Sequence, residues 1–470
     1  MKKSKIDFTK GGIGSQIFLF MLPMLVGNAI QQAYSMVDGI IVGQFVSPAA
    51  LASVGVAMTV THFVVASVIG FTTGSSVVIS QFFGAKDEVQ LKRAVSTSIV
   101  FLGGLSLVLG VLGYWLAPQV LTWLNATEDI FHDALWYMRI LMIGIVFPVF
   151  YNVYAAYLRA LGDSKTPLYF LIVATVINII LSLLFVAGFG WGVPGVAVAT
   201  IIAQGISAIL CFFYTKRAVP LLRVDKLEFD REHFKLILKY GVPAAIQLSF
   251  VTLSQLLITG LINGLGTTSI AGMVAASKVD HLAIVPLSTM SLALSTFVGQ
   301  NIGAGQEARA RKGLRSGFLM MLGLGVGISV LLNLFSASIL SLFLDLSDPA
   351  AQEIQYIGSS YLSILVSFYF LFAALFSFNG FLRGAGDAKA AMVMPIISLG
   401  IRTAAAYIMV LVFGMGVNAL AWSIPMGWAI SSTASFLYYL SNRWQGKGAT
   451  QLLQEKPEAD PPKLRVSVAK

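Results

Sequence analysis

The sequence predicts an all-α membrane protein, twelve transmembrane helices arranged as two pseudo-symmetric six-helix lobes. Three observations carry that prediction. Of the 470 residues, 57% are hydrophobic and only 11% charged, against about 25% charged in a soluble domain. Apolar segments of about 20 residues or more, enough to cross a bilayer as a helix, recur twelve times. Motifs of the first half return in the second roughly 220 positions on.

The segments fall at 17–45, 50–82, 94–116, 131–158, 167–189, 194–217, 238–264, 269–299, 314–338, 354–382, 391–413 and 417–441. In the first, Asp38 is the only charged side chain between Ile17 and Phe45. A carboxylate at membrane depth costs at least ~2.5–3.5 kcal/mol on insertion scales, so its default reading is functional. The alternative is an acid near the outer helix end that reaches headgroup water. Asn28, Gln31, Gln32 and Tyr34 keep it company, and Gln31, Gln32 and Tyr34 are candidates to line a substrate cavity. His62, in the second segment, reads either as a packing residue or as part of that cavity. The lysines before the first segment resemble a signal n-region. The apolar run behind them is too long for a signal peptide, however, and lacks a small-x-small cleavage site, so retention is expected.

Glycines mark close packing: Gly103, Gly104, Gly110 and Gly113 in the third segment are echoed by Gly323, Gly325 and Gly327 in the ninth. Small residues let helices approach in lipid. In the eighth segment Lys278, Asp280 and His281 cluster near mid-depth, and Arg402 lies about mid-depth in the eleventh. The group reads first as a charge-balanced set with Arg402 as partner to Asp280, and second as an ion or substrate station. Arg139 in the fourth segment is placed to reach an outer aqueous cavity. Sixteen Met and 32 Phe would make adaptable cavity walls, though most must face lipid or neighbouring helices.

Of the 31 Lys and Arg, all but Arg139, Lys278 and Arg402 fall in the termini or in alternate connections. That alternation predicts a multi-pass protein of the plasma (cytoplasmic, inner) membrane with both termini in the cytoplasm. It also explains the net charge of +10 without nucleic acid as a partner.

The repeat is specific. Gln81-Phe82-Phe83-Gly84-Ala85 reappears as Gln300-Asn301-Ile302-Gly303-Ala304, Arg159-Ala160-Leu161-Gly162-Asp163-Ser164-Lys165 as Arg383-Gly384-Ala385-Gly386-Asp387-Ala388-Lys389, and Pro23 pairs with Pro243. Six segments per half make these parallel repeats, related by an axis along the membrane normal. The expected division is a lobe over 1–217, a cytoplasmic linker over 218–237, a second lobe over 238–442 and a disordered cytoplasmic tail over 443–470. Two lobes facing a central cavity suit a transporter better than a channel.

No phosphate-cradling glycine loop and no His-Glu-x-x-His occur, and the four histidines lack metal-ligand spacing. The lone Cys211 rules out an internal disulfide. No catalytic residue, metal site or cofactor is therefore expected, and work must come from an ion gradient or a partner ATPase, unless transport is passive.

The two six-span halves, Pro23 and Asp38 in the first span, Gln300-Asn301-Ile302-Gly303-Ala304-Gly305 and the Arg-x-x-Gly-Asp-x-Lys repeats resemble the multidrug and toxic compound extrusion (MATE) family over about residues 10–445. The resemblance implies an antiporter: H+ or Na+ enters while amphipathic, often cationic organic compounds leave by alternating access. It assigns the coupling ion to Asp38, with Asn178 and Thr200 as companions. Where the family pattern carries a second carboxylate, four residues after Asn178, this chain has Ser182, and the seventh span lacks the acid of the NorM-like branch. The chain is thus placed nearer the branch coupling through the N-terminal lobe (DinF-like), with the proton favoured over sodium because one acid suffices for a proton. Small organic substrates and membrane lipids are the expected partners of a monomer. The alternatives are a flippase of a lipid-linked precursor, disfavoured by the few intramembrane cations, and a membrane-embedded transferase, for which no carboxylate pair is recognisable.

Overall fold

The computed structural model describes residues 6–224, 226–342 and 349–454, and no strand occurs among them. The first half contains α1 (Ile13–Phe45), α2 (Pro48–Gly84), α3 (Glu88–Trp123), α4 (Glu128–Ile143), α5 (Val146–Ala160), α6 (Lys165–Leu183) and α7 (Gly192–Ala218). The second contains α8 (Arg231–Asn263), α9 (Thr267–Gly303), α10 (Glu307–Ser341), α11 (Ala351–Ser367), α12 (Tyr369–Gly384), α13 (Ala388–Leu411) and α14 (Val417–Leu440), followed by the short α15 (Ala449–Gln454). Among the described residues nine helices are long and apolar enough to span a membrane, and eleven if the bent pairs α4–α5 and α11–α12 each count as one. The uncharged, serine-rich α14 completes twelve. The two bends, 49° and 51°, occupy equivalent places in the repeats.

Helix starts follow from their caps. Ser47 accepts from the Ala50 amide ahead of Pro48, and Asp87, Asp230 and Asp387 accept from the amides of Gln90, Glu232 and Ala390. Each satisfies donors that a helix leaves open. Asp163, the repeat partner of Asp387, accepts from the Thr166 amide in the same way.

Each half has its own apolar core: Phe82, Tyr137 and Leu158 belong to one, Phe297, Tyr369 and Trp428 to the other. The first helix of each half divides itself between the two. Ile17, Phe20 and Met21 of α1 are buried in the second core, whereas Ile41 and Val42 are buried in the first. In α8, Leu236 and Tyr240 sit in the first core and Ile258 and Leu261 in the second. At the end of the bundle that holds both termini, each lobe therefore holds half of the other's leading helix.

The repeat motifs close this end. The backbone of α2 meets that of α9 so tightly that a Cβ on Gly84 would lie 1.9 Å from the Gln300 carbonyl oxygen, and one on Gly303 would lie 1.9 Å from that of Gln81. Only glycine permits the crossing. Gln81 Nε2 donates to the Gly384 carbonyl and Gln300 Nε2 to that of Ala160, both at 2.8 Å. These are equivalent partners in opposite lobes.

The first and last described segments occupy matching positions. Phe8 packs edge-on against Phe20 and Phe297, and its amide donates to Gln300 Oε1 at 3.2 Å. Opposite it, the Ala449 amide donates to Gln81 Oε1. The expectation of disorder from 443 onward is thus corrected for residues 443–454. Trp444 is buried against Phe381 and Tyr439, Lys447 pairs with Asp387 at 2.6 Å, and Tyr240 donates to the Lys447 carbonyl. A buried indole and an ion pair outweigh the polar composition. Residues 455–470 lie outside the described residues. The connection between halves is also shorter than expected, since α8 begins at Arg231. Ser96 and Thr97 of α3 accept from the amides of Glu228 and Asp230.

Candidate functional site

Asp38 is fully buried. Ser182 Oγ donates to its Oδ1 at 3.3 Å, while Oδ2 is buried without a partner. Leaving a charged oxygen dry costs more than the ~1–3 kcal/mol typical of an unsatisfied neutral group, so the pocket favours the arrival of a positive charge. Beside it, Asn178 Nδ2 donates to Thr200 Oγ1 at 3.3 Å and to Tyr34 Oη at 3.5 Å, and Asn178 Oδ1 is likewise buried and unpartnered. Tyr34 donates to Thr200 Oγ1 at 3.1 Å, and that hydroxyl donates to the Val196 carbonyl at 2.9 Å.

The helices explain the assembly. Tyr34 and Asp38 are four apart on α1, and Asn178 and Ser182 four apart on α6, so each pair shares a helix face. Immediately after Ser182, α6 widens into a π-turn over Leu184–Gly188, a feature frequent at functional sites.

A separate cavity of about 1040 Å³ opens between the lobes. Gln32, Ser35 and Met36 of α1 face Gln247 and Gln255 of α8 across it. Its second-lobe wall carries Lys278, Asp280, His281 and Arg402 beside Phe372, Phe376 and Trp428. Asp280 Oδ1 accepts from the Tyr369 hydroxyl at 2.6 Å.

The expected ion-coupling residues Asp38, Asn178 and Thr200 thus come together, and Ser182 joins them. Of the cavity candidates, Gln32 lines the space. Tyr34 does not: it turns into the Asp38 cluster instead. Gln31 and His62 are exposed and lie outside the lining. The charge cluster Lys278, Asp280, His281 and Arg402 does assemble. The direct partner of Asp280, however, is Tyr369, which sequence reasoning missed. Tyr369 begins α12 just after the bend, and a broken helix hides such a pairing from periodicity.

A bundle of apolar spans in two repeated lobes, with a central cavity and a buried acid beside it, has the anatomy of a membrane transporter and not of an enzyme. The chain belongs to the MatE family, whose family model matches residues 23–184 and 243–408. It is 32% identical to "Probable multidrug resistance protein YpnP" of Bacillus subtilis (strain 168), over 96% of this chain and 99% of that one. It is 30% identical to "Probable multidrug resistance protein YoeA" of the same organism, over 95% and 97%. The solved structure described as "Outward-facing conformation of a multidrug resistance MATE family transporter of the MOP superfamily" superimposes with a TM-score of 0.86 at 22% identity, covering 97% of this chain and all of that one.

Proposed function

We propose that the chain is a proton-coupled antiporter that exports amphipathic organic compounds by alternating access of its two lobes. In this reading it works as a monomer in the plasma membrane with both termini cytoplasmic. The observation that carries it is the Asp38 carboxylate, fully buried, with one oxygen held by Ser182 and the other unpartnered.

Asp38 receives the proton at Oδ2, and protonation removes a charge that the pocket otherwise leaves uncompensated. Asn178 and Tyr34 are positioning residues, tied through Thr200. Thr200 Oγ1 already accepts from both and donates to Val196, so its hydroxyl is fully used. An incoming sodium ion would find Asp38 Oδ2, Asn178 Oδ1 and Ser182 Oγ, one charge among few oxygens. Sodium remains the second reading because the Asn178 oxygen is unpartnered.

Because Ser182 ties Asp38 of α1 to α6, neutralising the acid loosens the contact of α1 with its own lobe. That helix packs on the other lobe at its beginning, which is how proton binding would reach the inter-lobe contacts. The test is dye efflux from proteoliposomes with pH and sodium gradients imposed separately. Efflux driven by a pH jump without sodium supports the reading, and strict sodium dependence overturns its choice of ion.

A further inference from the structure

We propose that the second-lobe wall of the central cavity selects aromatic amphiphiles bearing an anionic head group, a carboxylate above all, and does so through Arg402. This assignment rests on the export reading above and narrows its substrate class.

Among the described lining residues the fixed charges are Lys278, Arg402 and Asp280. Asp38 is not among them, being fully buried behind the surface. A cationic compound entering the cavity therefore meets a single carboxylate, and that one already accepts from the Tyr369 hydroxyl at 2.6 Å. An anionic head group meets a different surface. Arg402 lines the cavity, and its Nε is buried without a hydrogen-bond partner. Were Arg402 present only to balance Asp280, direct contact between the two would be expected, since a buried ion pair is favourable only when its geometry is close. Arg402 is instead only partly buried where it lines the cavity, and its planar fork of donors suits a planar acceptor, which carboxylates supply.

Beside it stands an aromatic wall. Phe372 and Phe376 stack with centroids 4.1 Å apart, and Trp428 packs edge-on against Phe372 at 5.0 Å. The wall gives a flat apolar body a face to lie on while its acidic group reaches Arg402. The volume of about 1040 Å³ is at the upper end for drug-sized ligands. Asp280 then acts as the selectivity counterweight, repelling a second negative charge and orienting zwitterions.

The experiment titrates the purified full chain with three dansyl probes of one body and different head groups: dansylglycine, neutral dansylamide and a dansyl trimethylammonium. Dansylglycine is expected to bind about tenfold or more tightly than the cation, the scale of a charge-assisted hydrogen bond. Arg402→Gln should abolish that preference, bringing dansylglycine to the affinity of dansylamide, and a parent-like circular-dichroism spectrum reports intact folding. Arg402→Lys should keep part of the preference, and Asp280→Asn should strengthen dansylglycine binding. A preference for the cation, or an unaltered preference in Arg402→Gln, would overturn the assignment alone. If none of the three probes binds, the assignment and the export reading fail together.

Discussion

The Ser182 hydroxyl stands 3.3 Å from one oxygen of Asp38, and the other is buried without a hydrogen bond. This half-satisfied carboxylate leaves a charge imbalance inside the first lobe. Replacing it with an amide removes the charge at nearly constant shape. Asp38→Asn is expected to express and fold like the parent and to bind dansylamide, yet to lose uphill efflux entirely. Proteoliposome efflux against a substrate gradient checks this, and parent-like uphill transport would show that coupling lies elsewhere.

The reciprocal crossing of α2 and α9 gives a stability prediction. A methyl on Gly84 or Gly303 would press on backbone 1.9 Å away, which cannot yield as a side-chain tip can. Gly84→Ala and Gly303→Ala should each cost at least the ~1–3 kcal/mol of overpacking and lower the melting temperature in detergent. Gly323→Ala, with nothing within 4 Å of the added Cβ, is the control and should not destabilise.

Much of this was legible beforehand. A lone acid in an apolar run singled out Asp38, the recurring apolar segments gave the order of the spans, and the Gln81 and Gln300 repeats marked the equivalent helix ends. Helical phase could have gone further: Tyr34 precedes Asp38 by four residues and so shares its face, whereas Gln32, Ser35 and Met36 turn an adjacent face to the cavity. What periodicity could not show was the tertiary part. No local pattern tells that α1 and α8 cross between cores, that Tyr369 reaches Asp280 from beyond a bend, or that Trp444 folds back onto Phe381. These depend on contacts between segments far apart in sequence.

The cap of α8 supplies a pH dependence outside the membrane. Partial burial works against the Asp230 charge, but hydrogen bonds from the His233 amide and ring, the His233 charge and the Glu232 amide outweigh it and hold the pKa below the ordinary carboxylate value. A depressed pKa means that its stabilisation is present above the unfolded value of about 3.9 and is lost as pH falls through the folded one. Asp230→Ala should therefore cost about 1 kcal/mol at neutral pH and make the melting temperature less sensitive to acidification. Thermal unfolding of both proteins between neutral and strongly acidic pH measures the difference.

Alternating access requires the bundle end opposite the termini to change width. Ser47, the cap of α2, and Thr267, the first residue of α9, lie at that end in opposite lobes. Spin labels there should report a shorter separation in the substrate-loaded than in the proton-loaded protein. Gln81→Ala with Gln300→Ala removes the matching hydrogen bonds to Gly384 and Ala160 and should shift the distribution toward the shorter distance without ligand. One unchanging distance under every condition would count against rocking lobes.

The identity of the ion can be altered by design. Ser182 stands where the family pattern places a second carboxylate, and it already contacts Asp38. Ser182→Asp would supply two charged groups beside the unpartnered Asn178 oxygen, a set better suited to sodium, which takes several oxygen ligands. The parent is expected to respond to a pH jump and ignore sodium, and the variant to gain sodium-dependent efflux. Energetics sets the size of the jump. A hundredfold gradient of a monovalent cation requires about 2.7 kcal/mol. One-for-one exchange with a proton moves no net charge and draws only on the pH difference, about 1.4 kcal/mol per unit. About two pH units should thus be the threshold for hundredfold accumulation of such a cation. An anionic substrate leaving as a proton enters would move net charge, and a membrane potential positive outside would lower that threshold. Measuring the threshold with the potential clamped and unclamped fixes ion and stoichiometry together. Sodium-driven efflux by the parent at constant pH would show that Ser182 already completes a sodium site.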